Sequence, residues 1–259
     1  IIVDEDTLNE VKGIPEAALI AEYLMIQKRT AQVKSWLDAV AEDGRVHGYV
    51  NSIGAVTGRM THSSPNVAQV PSSYSPYGKE CRSCWIVKKG YKLVGADAAG
   101  LELRMLSHYM NDKEYTHEVT SGDVHTANQK SAGLPDRDSA KTFIYAFLYG
   151  AGDAKIGSIV GGSSGDGKKL KEVFLSNTPS LRTLRERVEG ACARGYLKGL
   201  DGRKLIIRSS HAALNTLLQS AGAIIMKKAL TILDDHAKIY KIDYKFVGNI
   251  HDEFQTEVR

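Results

Sequence analysis

Apolar residues recur along most of the chain at the three- and four-residue spacing of one helix face. From residue 15 to residue 40 this spacing predicts a long amphipathic helix with Leu19, Tyr23 and Ile26 on its apolar face. Pro15 suits the first turn of such a helix, where its missing N–H has no helical partner to lose. The same spacing predicts further helices after Asp97 and over residues 123–131, 136–150, 166–194 and 211–238.

Two short segments have the apolar character of strands, and each leads into an acidic residue. Residues 91–97 are predicted to form a buried strand that ends on Asp97. Residues 243–250 form a second predicted strand, which runs into a turn at Asp252 and returns as a partner strand. Since a mostly helical stretch separates these segments, the predicted fold class is α+β, with a helical subdomain inserted between the two halves of a small antiparallel sheet.

Composition narrows the class of protein without deciding it. The 259 residues are 42% hydrophobic and 25% charged, which is enough for one large globular domain or two small ones. The formal charge of +4 permits nucleic-acid binding but equally suits enzymes that act on small anions. No apolar run reaches the roughly 18 residues that span a bilayer, so no membrane partner is expected.

The cysteines and the N-terminus bear on the cellular compartment. Three cysteines, an odd number, argue against a disulfide framework and for a reducing environment. Cys81 and Cys84 form a CxxC pair, but a structural zinc site needs about four ligands and no second pair follows, so we interpret them as ordinary thiols. The first residues lack the basic region and apolar stretch of a signal peptide. A cytoplasmic location is expected, and an organelle is also compatible with the sequence.

The acidic ends of the two predicted strands suit a metal site. Mg²⁺ binds one or two carboxylates together with water and phosphate oxygens, and a carboxylate at a strand end is fixed in position. Taken alone, Asp97 is equally compatible with a helix N-cap, and Asp252 and Glu253 with a solvated turn. Adjacent acids repel each other unless cations neutralise them. Together, Asp97 and Asp252 suit the paired carboxylates of a two-metal site.

A second candidate site lies within the predicted helix 136–150. Arg137, Lys141, Tyr145 and Tyr149 are spaced by four and share one slowly drifting helical stripe. Arg137 and Lys141 repel each other at this spacing, and a bound triphosphate would reverse the sign of that interaction. Tyr149 is suited to stacking on a base. The alternative is a surface helix with a basic edge.

One further stretch, Gly162 to Lys169, nearly matches a phosphate-binding P-loop. The last position of that motif needs a hydroxyl group for Mg²⁺, and here it is Lys169. The preceding segment also has helical rather than strand character. The stretch is therefore predicted to be a mobile loop without a phosphate-binding role.

The motifs resemble, in the same order, those of the family A (Pol I-like) DNA polymerases. Residues 97–104 (DxxxLExR) resemble motif A, residues 137–150 (RxxxKxxxYxxxYG) motif B and residues 251–253 (HDE) motif C. Thr57-Gly58-Arg59 and the segment 65–71 precede motif A, as they do in the family. The resemblance covers nearly the whole chain and is strongest to the replicative polymerases of T-odd phages.

The resemblance implies a role for each motif residue. Asp97, Asp252 and the Ala98 carbonyl would hold two Mg²⁺ ions, for which Mn²⁺ is a substitute, and Glu253 would support the site near the primer end. The incoming triphosphate would be bound by His125, Arg137 and Lys141, and Lys141 would also protonate the leaving pyrophosphate. Glu102 and Tyr145 would flank the sugar 2′ position and exclude a ribose hydroxyl. Primer–template contacts would come from Arg59, Asn66, Gln69, Tyr149, Asn215, Gln219 and His251.

The resemblance also implies a domain organisation. Residues 1–40 would be the end of a thumb and a connecting helix, 41–122 the first part of a palm, 123–207 the fingers and 208–259 the second part of the palm. The thumb and the exonuclease domain would be largely absent, as in an excised fragment, a piece of a longer protein or part of a split enzyme. A missing polymerase segment or an accessory factor would then be a partner.

The expected function is a template-directed DNA polymerase that adds deoxynucleotides to a primer 3′ end by a two-metal mechanism. Its partners would be primer–template DNA and deoxynucleoside triphosphates. The main alternative is a catalytically incomplete piece that binds both without efficient turnover. A two-metal nuclease needs the paired acids but not the basic stripe, and Glu102 beside the expected sugar position disfavours a single-subunit RNA polymerase.

Overall fold

Helices and short antiparallel strands make up the fold, which confirms the predicted α+β class. The computed structural model describes residues 4, 7–8, 11 and 13–259. In chain order its elements are α1 (Pro15–Asp38), β1 (Tyr49–Asn51), β2 (Thr61–Ser63), a 3₁₀ turn (Val67–Gln69), α2 (Gly78–Ser83), β3 (Lys92–Asp97), α3 (Leu101–Met110), α4 (Lys113–Thr120), α5 (Val124–Ala132), α6 (Arg137–Leu148), α7 (Asp153–Ile159), α8 (Ser164–Asn177), α9 (Pro179–Cys192), β4 (Tyr196–Lys198), β5 (Lys204–Ile206), a 3₁₀ turn (Ser210–Ala212), α10 (Ala213–Ile239), β6 (Tyr244–Ile250) and β7 (Glu253–Val258).

The two acid-tipped strands belong to one antiparallel sheet, in the order β3-β7-β6. β7 is central, and its first residue, Glu253, pairs with Asp97 on one side and with Ile250 on the other. The β6–β7 turn therefore lies at the same end of the sheet as the acidic end of β3. This register brings the acidic residues of two distant segments together.

The predicted burial of β3 is wrong, because all six residues of the strand are exposed. Leu93 and Val94 retain 47% and 49% of their accessible surface. β3 is an edge strand, and the sheet's buried cluster forms around Phe254 of β7, which packs with Leu101 and Met226. An apolar strand pattern reports a tendency toward burial, but it cannot report whether another element covers the strand.

The main core lies among the inserted helices. The rings of Phe143 and Phe147 on α6 both pack edge-on against Phe174 of α8, with centroids 5.1 and 5.4 Å away. The buried side of α6 comprises Ala140, Phe143, Ile144, Phe147 and Leu148. Since this side is fully occupied by the core, the polar residues of α6 are left on the opposite side of the helix.

Two predictions for the helical region are corrected. The single helix predicted over 166–194 is two helices, α8 and α9, which meet at Thr178 because Pro179 begins a new helix where its missing N–H is tolerated. The mobile loop predicted at Gly162–Lys169 is mostly the start of α8. Ser163 and Asp166 form a reciprocal capping box there, which fixes the helix N-terminus.

Helix α1 is confirmed, but its predicted apolar face is not buried. Leu19, Tyr23 and Ile26 are 66%, 62% and 41% exposed. The buried residues of the helix are Ala17, Ala21 and Trp36. Near the end of the helix, the Trp36 ring packs edge-on against Trp85 at 5.3 Å.

The segment Ser210–Ile239 is long and apolar enough, by length and composition alone, to cross a membrane. A helix buried in a protein core passes the same test. The buried residues of α10 include Leu214, Leu217 and Leu218, which belong to the main core. The absence of a membrane partner stays a prediction.

A buried carboxylate on β7, that of Glu257, binds the loops that contain Arg45 and Lys88. The side chain of Glu257 is 1% exposed and forms an ion pair with Arg45, whose Nη2 lies 2.8 Å from Oε2. The backbone N–H of Lys88 also donates to Glu257 Oε1 at 2.9 Å. The Lys88 N–H and the Arg45 guanidinium both lower the pKa of the Glu257 carboxyl, because both stabilise its ionised form.

We expect Glu257→Gln to lower the melting temperature at neutral pH. A carboxyl group whose pKa is lowered on folding stabilises the protein above its unfolded-state pKa, and that contribution is lost as the pH falls through the lowered folded-state value. The melting-temperature gap between wild type and variant should therefore be widest near pH 7 and narrow below about pH 4. Thermal melts across this range test the prediction, with Glu186→Gln on the exposed side of α9 as control. A gap that is constant with pH would contradict it.

Candidate active site

A tight turn between β6 and β7 holds the acidic residues at the sheet end. The Ala98 N–H donates to the Asp252 carbonyl at 2.9 Å, so the residue after Asp97 is bonded directly to this turn. Asp97 and Glu253 are cross-strand partners. His251 has a φ of 59°, a left-handed conformation that helps to reverse the chain before Asp252. The three predicted catalytic carboxylates, Asp97, Asp252 and Glu253, therefore lie together.

The electrostatics of this cluster favour a bound cation. Burial raises the pKa of Asp252, and the nearby carboxylates of Asp97 and Glu102 raise it further, while Arg59 acts in the opposite direction. The protein thus supplies too little positive charge around ionised Asp252 to stabilise it. A divalent ion beside Asp252 would supply that charge. The side-chain amide of Gln255 donates to Glu253, which fixes the orientation of that carboxylate.

Glu102, in the first turn of α3, pairs with Arg59 from the loop before β2. Arg59 Nη2 donates to Glu102 Oε1 at 2.8 Å, and the two side chains are only 15% and 14% exposed. A charge-assisted bond that is largely shielded from water restricts both partners more than a surface pair would. This ion pair therefore fixes both Glu102, which is predicted to contact the sugar, and Arg59, which is predicted to contact DNA.

The polar stripe of α6 faces this cluster at Tyr145. Burial raises the pKa of the Tyr145 hydroxyl, and the Glu102, Tyr149 and Asp252 side chains act on it in the same direction, so these groups lie near one another. Lys141 is exposed one turn earlier, and Tyr149 is 50% exposed at the C-terminal cap of the helix. The stripe thus runs from a solvent-facing basic end to an aromatic end beside the carboxylates.

The basic end of the stripe is joined to α5 through Asp123. Arg137 donates from Nε and Nη2 to the two carboxylate oxygens of Asp123, at 2.8 and 3.2 Å. Asp123 is also the N-cap of α5, and it accepts from the N–H groups of His125 and Thr126. The side-chain bond from Arg137, and then the bonds from Thr126, hold the pKa of Asp123 well below its usual range. His125 and Arg137 are therefore brought together by a residue that sequence reasoning missed.

The charges around His125 suit the binding of an anion. Burial and the positive charges of Arg137 and Lys141 lower its pKa, while Asp123 opposes them. Its ring lies 6.3 Å from that of Tyr145, between centroids. A triphosphate near these groups would favour the protonated imidazole, because its negative charge would offset the neighbouring cations.

Apart from Arg59 and Tyr149, the residues predicted to contact DNA lie in three separate places. Asn66 caps the first 3₁₀ turn by accepting from the Ala68 N–H at 3.1 Å, and the Gln69 carbonyl accepts from Gln32 of α1 at 2.8 Å. Asn215 and Gln219 are half-buried and lie one turn apart on α10, while His251 is exposed at the carboxylate turn. The bonds of Asn66 and Gln69 hold their own loop, and their predicted role toward DNA is untested.

A metal ion at this cluster would have few protein ligands. Within residues 4, 7–8, 11 and 13–259, no three His, Cys, Asp or Glu side chains are arranged to hold a metal ion. Mg²⁺ commonly keeps several waters and binds through one or two carboxylates plus substrate phosphates. The carboxylates of Asp97 and Asp252, of which Asp252 is poorly neutralised by protein groups, fit that pattern together with the Ala98 carbonyl. All three cysteines are free thiols, and Cys81 is buried.

Comparison with known protein families decides the relationship that the motifs suggested. A model of the polymerase domain of DNA polymerase family A matches residues 1–259. This chain belongs to DNA polymerase family A. The resemblance inferred from the three motifs is confirmed, and so is the inference that phage enzymes are among its relatives.

The curated relatives of this family A chain include two phage proteins named DNA-directed DNA polymerase. The protein of Enterobacteria phage T3 is 47% identical and that of Escherichia phage T7 46% identical, each over 301 aligned residues that cover 100% of this chain and 42% of the relative. The chain thus spans less than half the length of these relatives. A solved structure, the POL domain of Pol1 from M. smegmatis in complex with DNA primer-template and dNTP, superposes with a TM-score of 0.86 at 26% identity, over 99% of this chain and 50% of that one.

Sequence reasoning missed the residues that hold the family A motifs in place. Asp123 precedes a predicted helix, and the signal for a helix N-cap was present there, but nothing local indicated its bond to Arg137. Lys227 lies within α10 and donates to two backbone carbonyls of the loop that leads to Arg59. A lysine that binds carbonyl oxygens leaves no motif in the sequence.

Proposed function

We propose that this family A polymerase chain carries out template-directed DNA synthesis, adding deoxynucleotides to a primer 3′ end. The observation that supports this most directly is the convergence of three segments: the Asp97 end of β3, the Asp252–Glu253 turn and the polar stripe of α6. The structurally similar M. smegmatis POL domain is in complex with DNA primer-template and dNTP, which supports the same two partners for this chain. The division into thumb end, palm and fingers belongs to the same proposal.

Asp97, Asp252 and the carbonyl of Ala98 would hold two Mg²⁺ ions. When bound, these ions supply the positive charge that the attacking and leaving oxygens require. Glu253, fixed by Gln255, supports the carboxylate turn. The raised pKa of Asp252 supports this assignment, because a carboxyl group that is poorly neutralised by protein groups gains most from a bound cation.

The polar stripe and α5 would hold the incoming nucleotide. Arg137, Lys141 and His125 bind the triphosphate, and Lys141 donates a proton to the pyrophosphate oxygen as it leaves the α-phosphorus. As the bond between that phosphorus and pyrophosphate breaks, the new bond joins the phosphorus to the primer 3′ oxygen, whose proton passes to water. Catalysis then rests on positioning and on charge neutralisation at the leaving group.

The Glu102 and Tyr145 side chains would close the space beside the sugar 2′ carbon. Glu102 is held by Arg59, and Tyr145 packs from α6, so neither moves freely to admit a hydroxyl group. A ribonucleotide would place its 2′ oxygen against these side chains. We therefore expect a preference for deoxynucleotides.

Primer extension on a primed template, with Mg²⁺ and each of the four deoxynucleotides, tests the proposal. Extension that follows the template base supports it. Strand cutting without added nucleotides would favour a nuclease instead, and preferential use of ribonucleotides an RNA polymerase. Binding of primer–template and deoxynucleotide without extension would identify the second candidate, a catalytically incomplete polymerase piece, which the exposure of all six β3 residues favours.

We expect Asp123→Asn to raise the KM for deoxynucleotide about tenfold with a smaller change in kcat. Asparagine is as good an N-cap as aspartate, so α5 keeps its start. The charge-assisted fork to Arg137 is lost, because an amide accepts through one oxygen only. Arg137 then has no fixed orientation toward the triphosphate. Steady-state kinetics with varied deoxynucleotide measure the change.

The matched control for this variant is Asp112→Asn. Asp112 is the N-cap of α4 and accepts from the Tyr115 N–H, as Asp123 does from the N–H groups of α5. It has no arginine partner among the described residues. A lower KM in Asp123→Asn would mean that the Asp123 carboxylate competes with the triphosphate for Arg137 rather than orienting it.

A further inference from the structure

The loop between β1 and β2 delivers Arg59 to the active site. It closes on itself through a bond from the Gly58 N–H to the Ala55 carbonyl, at 2.8 Å, and another from the Ala55 N–H to the Arg59 carbonyl, at 3.2 Å. Gly58 has a φ of +79°, which side-chain-bearing residues rarely adopt. The loop ends at Arg59, whose guanidinium binds Glu102. The position of this loop therefore sets the position of the Arg59–Glu102 pair.

Lys227 of α10 binds both ends of this loop. Its Nζ donates to the Ser52 carbonyl at 2.6 Å and to the Gly58 carbonyl at 2.7 Å. A single ammonium group thus joins two loop carbonyls six residues apart in sequence. Such a bridge fixes the separation of the two ends as well as their distance from the helix.

The environment of Lys227 indicates placement of the loop rather than an ion pair. No carboxylate forms an ion pair with it among the residues that the structure describes. Burial lowers its pKa, and the charge of Arg203 lowers it further. A partly buried ammonium that is bonded to neutral carbonyls has a cost in desolvation that a surface lysine avoids. The fixed position of the loop is the gain that offsets this cost.

The fingers side of the loop is also occupied. A Cβ added at Gly58 would lie 3.0 Å from Nη1 of Arg203, which belongs to the turn between β4 and β5. Arg203 is itself held by Asp201, through a bond of 2.7 Å from Nε to Oδ2. Gly58 therefore lies between Arg203 and Lys227, and the loop has little room to shift away from α10.

Lys227 lies on the same helix as two predicted DNA contacts. Asn215 and Gln219 are one turn apart near the start of α10, and Lys227 follows about two turns after Gln219. The Gln219 and Lys227 positions are about 12 Å apart along the helix axis, at roughly 1.5 Å per residue. One helix thus carries two predicted primer–template contacts near its start and the anchor of the Arg59 loop near its middle.

We propose that Lys227 is a positioning residue that clamps the 52–58 loop to α10 and so holds Arg59 against Glu102, which sets the discrimination between deoxyribonucleotides and ribonucleotides. The part of this proposal that concerns sugar discrimination rests on the proposed polymerase function. The clamp itself does not, since it concerns bonds within the chain. The test therefore has two measurements, one for the clamp and one for sugar discrimination.

The first measurement is amide hydrogen exchange of Gly58 and Ala55 in the full chain. Lys227→Met keeps the length of the side chain and removes the ammonium group, and the two loop amides should then exchange about tenfold faster. The amides between β6 and β7 should be unchanged. Lys227→Arg, which retains charge and several donors, should restore slow exchange. Unchanged exchange in Lys227→Met would overturn the clamp, whatever the activity.

The second measurement compares kcat/KM for a deoxynucleotide and for the matching ribonucleotide. The preference for the deoxynucleotide should fall about tenfold in Lys227→Met and recover in Lys227→Arg. Lys228→Met, at the exposed next residue of α10, should behave as wild type. Faster loop exchange with an unchanged preference would overturn the link to sugar discrimination. A wild-type chain without extension would instead refute the proposed function, and hydrogen exchange would still decide the clamp.

Discussion

Asp252→Asn should reduce primer extension at least about a thousandfold, the loss expected when several kcal/mol of metal-dependent stabilisation is removed from the reaction barrier. Asp252 lies in the β6–β7 turn, where its backbone carbonyl accepts from the Ala98 N–H. Asparagine preserves the shape of the side chain and this backbone bond. It removes the negative charge on which a divalent cation depends. Single-turnover extension with saturating Mg²⁺ measures the loss.

The same variant should be as stable as wild type or more stable. Burial and the carboxylates of Asp97 and Glu102 raise the pKa of Asp252, so its ionised form is disfavoured in the folded chain relative to the unfolded one. Above the unfolded-state pKa this charge opposes folding, and asparagine removes the opposition. A lost activity together with an unchanged or higher melting temperature would mark Asp252 as a functional residue. A large drop in melting temperature would contradict this account.

Asp235→Asn is the matched control for this variant. Asp235 is exposed near the end of α10 and carries the same chemical change away from the carboxylate turn. Its extension rate and melting temperature should match those of wild type. Asp97→Asn, by contrast, should lose extension to a similar extent, since Asp97 is the other proposed metal ligand and the cross-strand partner of Glu253.

The parts of the fold that follow from local pattern were predictable. An acid at the end of each strand pattern, with helical spacing between them, predicted a sheet closed by distant segments, and the Asp97–Glu253 pairing realises it. The four-residue spacing of Arg137, Lys141, Tyr145 and Tyr149 predicted one helical stripe, and α6 buries its other side. On α6 the periodicity of the helix alone determines which side chains share a face.

Individual side-chain contacts between distant segments, and the burial that results from them, were not predictable. The exposure of Leu93 on β3 depends on which elements cover the sheet, and the exposure of Leu19 on α1 likewise depends on its neighbours. The bonds of Asp123 to Arg137 and of Lys227 to Gly58 join segments that are far apart in sequence. Charged side chains accept many partners, so composition and spacing do not identify the one that the fold supplies.

The start of α8 was predicted wrongly for a different reason. The Gly162–Lys169 stretch does not complete a P-loop and was therefore predicted to be a mobile loop, yet Ser163 followed three residues later by Asp166 is also a capping-box signal. The Asp166 side chain accepts from the Ser163 N–H at 2.7 Å and the Asp166 N–H donates to Ser163 Oγ at 3.3 Å, so the box is closed. Glycine content reports freedom of the unfolded backbone, whereas the capping residues determine whether a helix begins there.

Lys141→Ala should lower kcat by about a hundredfold to ten-thousandfold, the range for a lost general acid. Lys141 lies on the exposed part of the α6 stripe, one turn from Arg137 and one turn from Tyr145. A triphosphate along the stripe would place its leaving group beside the ammonium. Alanine is well tolerated in helices, so α6 should remain intact. Pre-steady-state extension with varied deoxynucleotide separates the effect on the chemical step from the effect on binding.

Lys141→Arg distinguishes charge from proton donation. Arginine keeps the positive charge and binds phosphate oxygens, but it holds its proton too firmly to act as an acid. The apparent affinity for deoxynucleotide should therefore return toward that of wild type, while the rate of the chemical step should stay low. Lys130→Ala, an exposed change at the end of α5, should affect neither. If Lys141→Arg restored the rate as well as the affinity, Lys141 would act through its charge alone, and pyrophosphate would leave the active site without a proton from this chain.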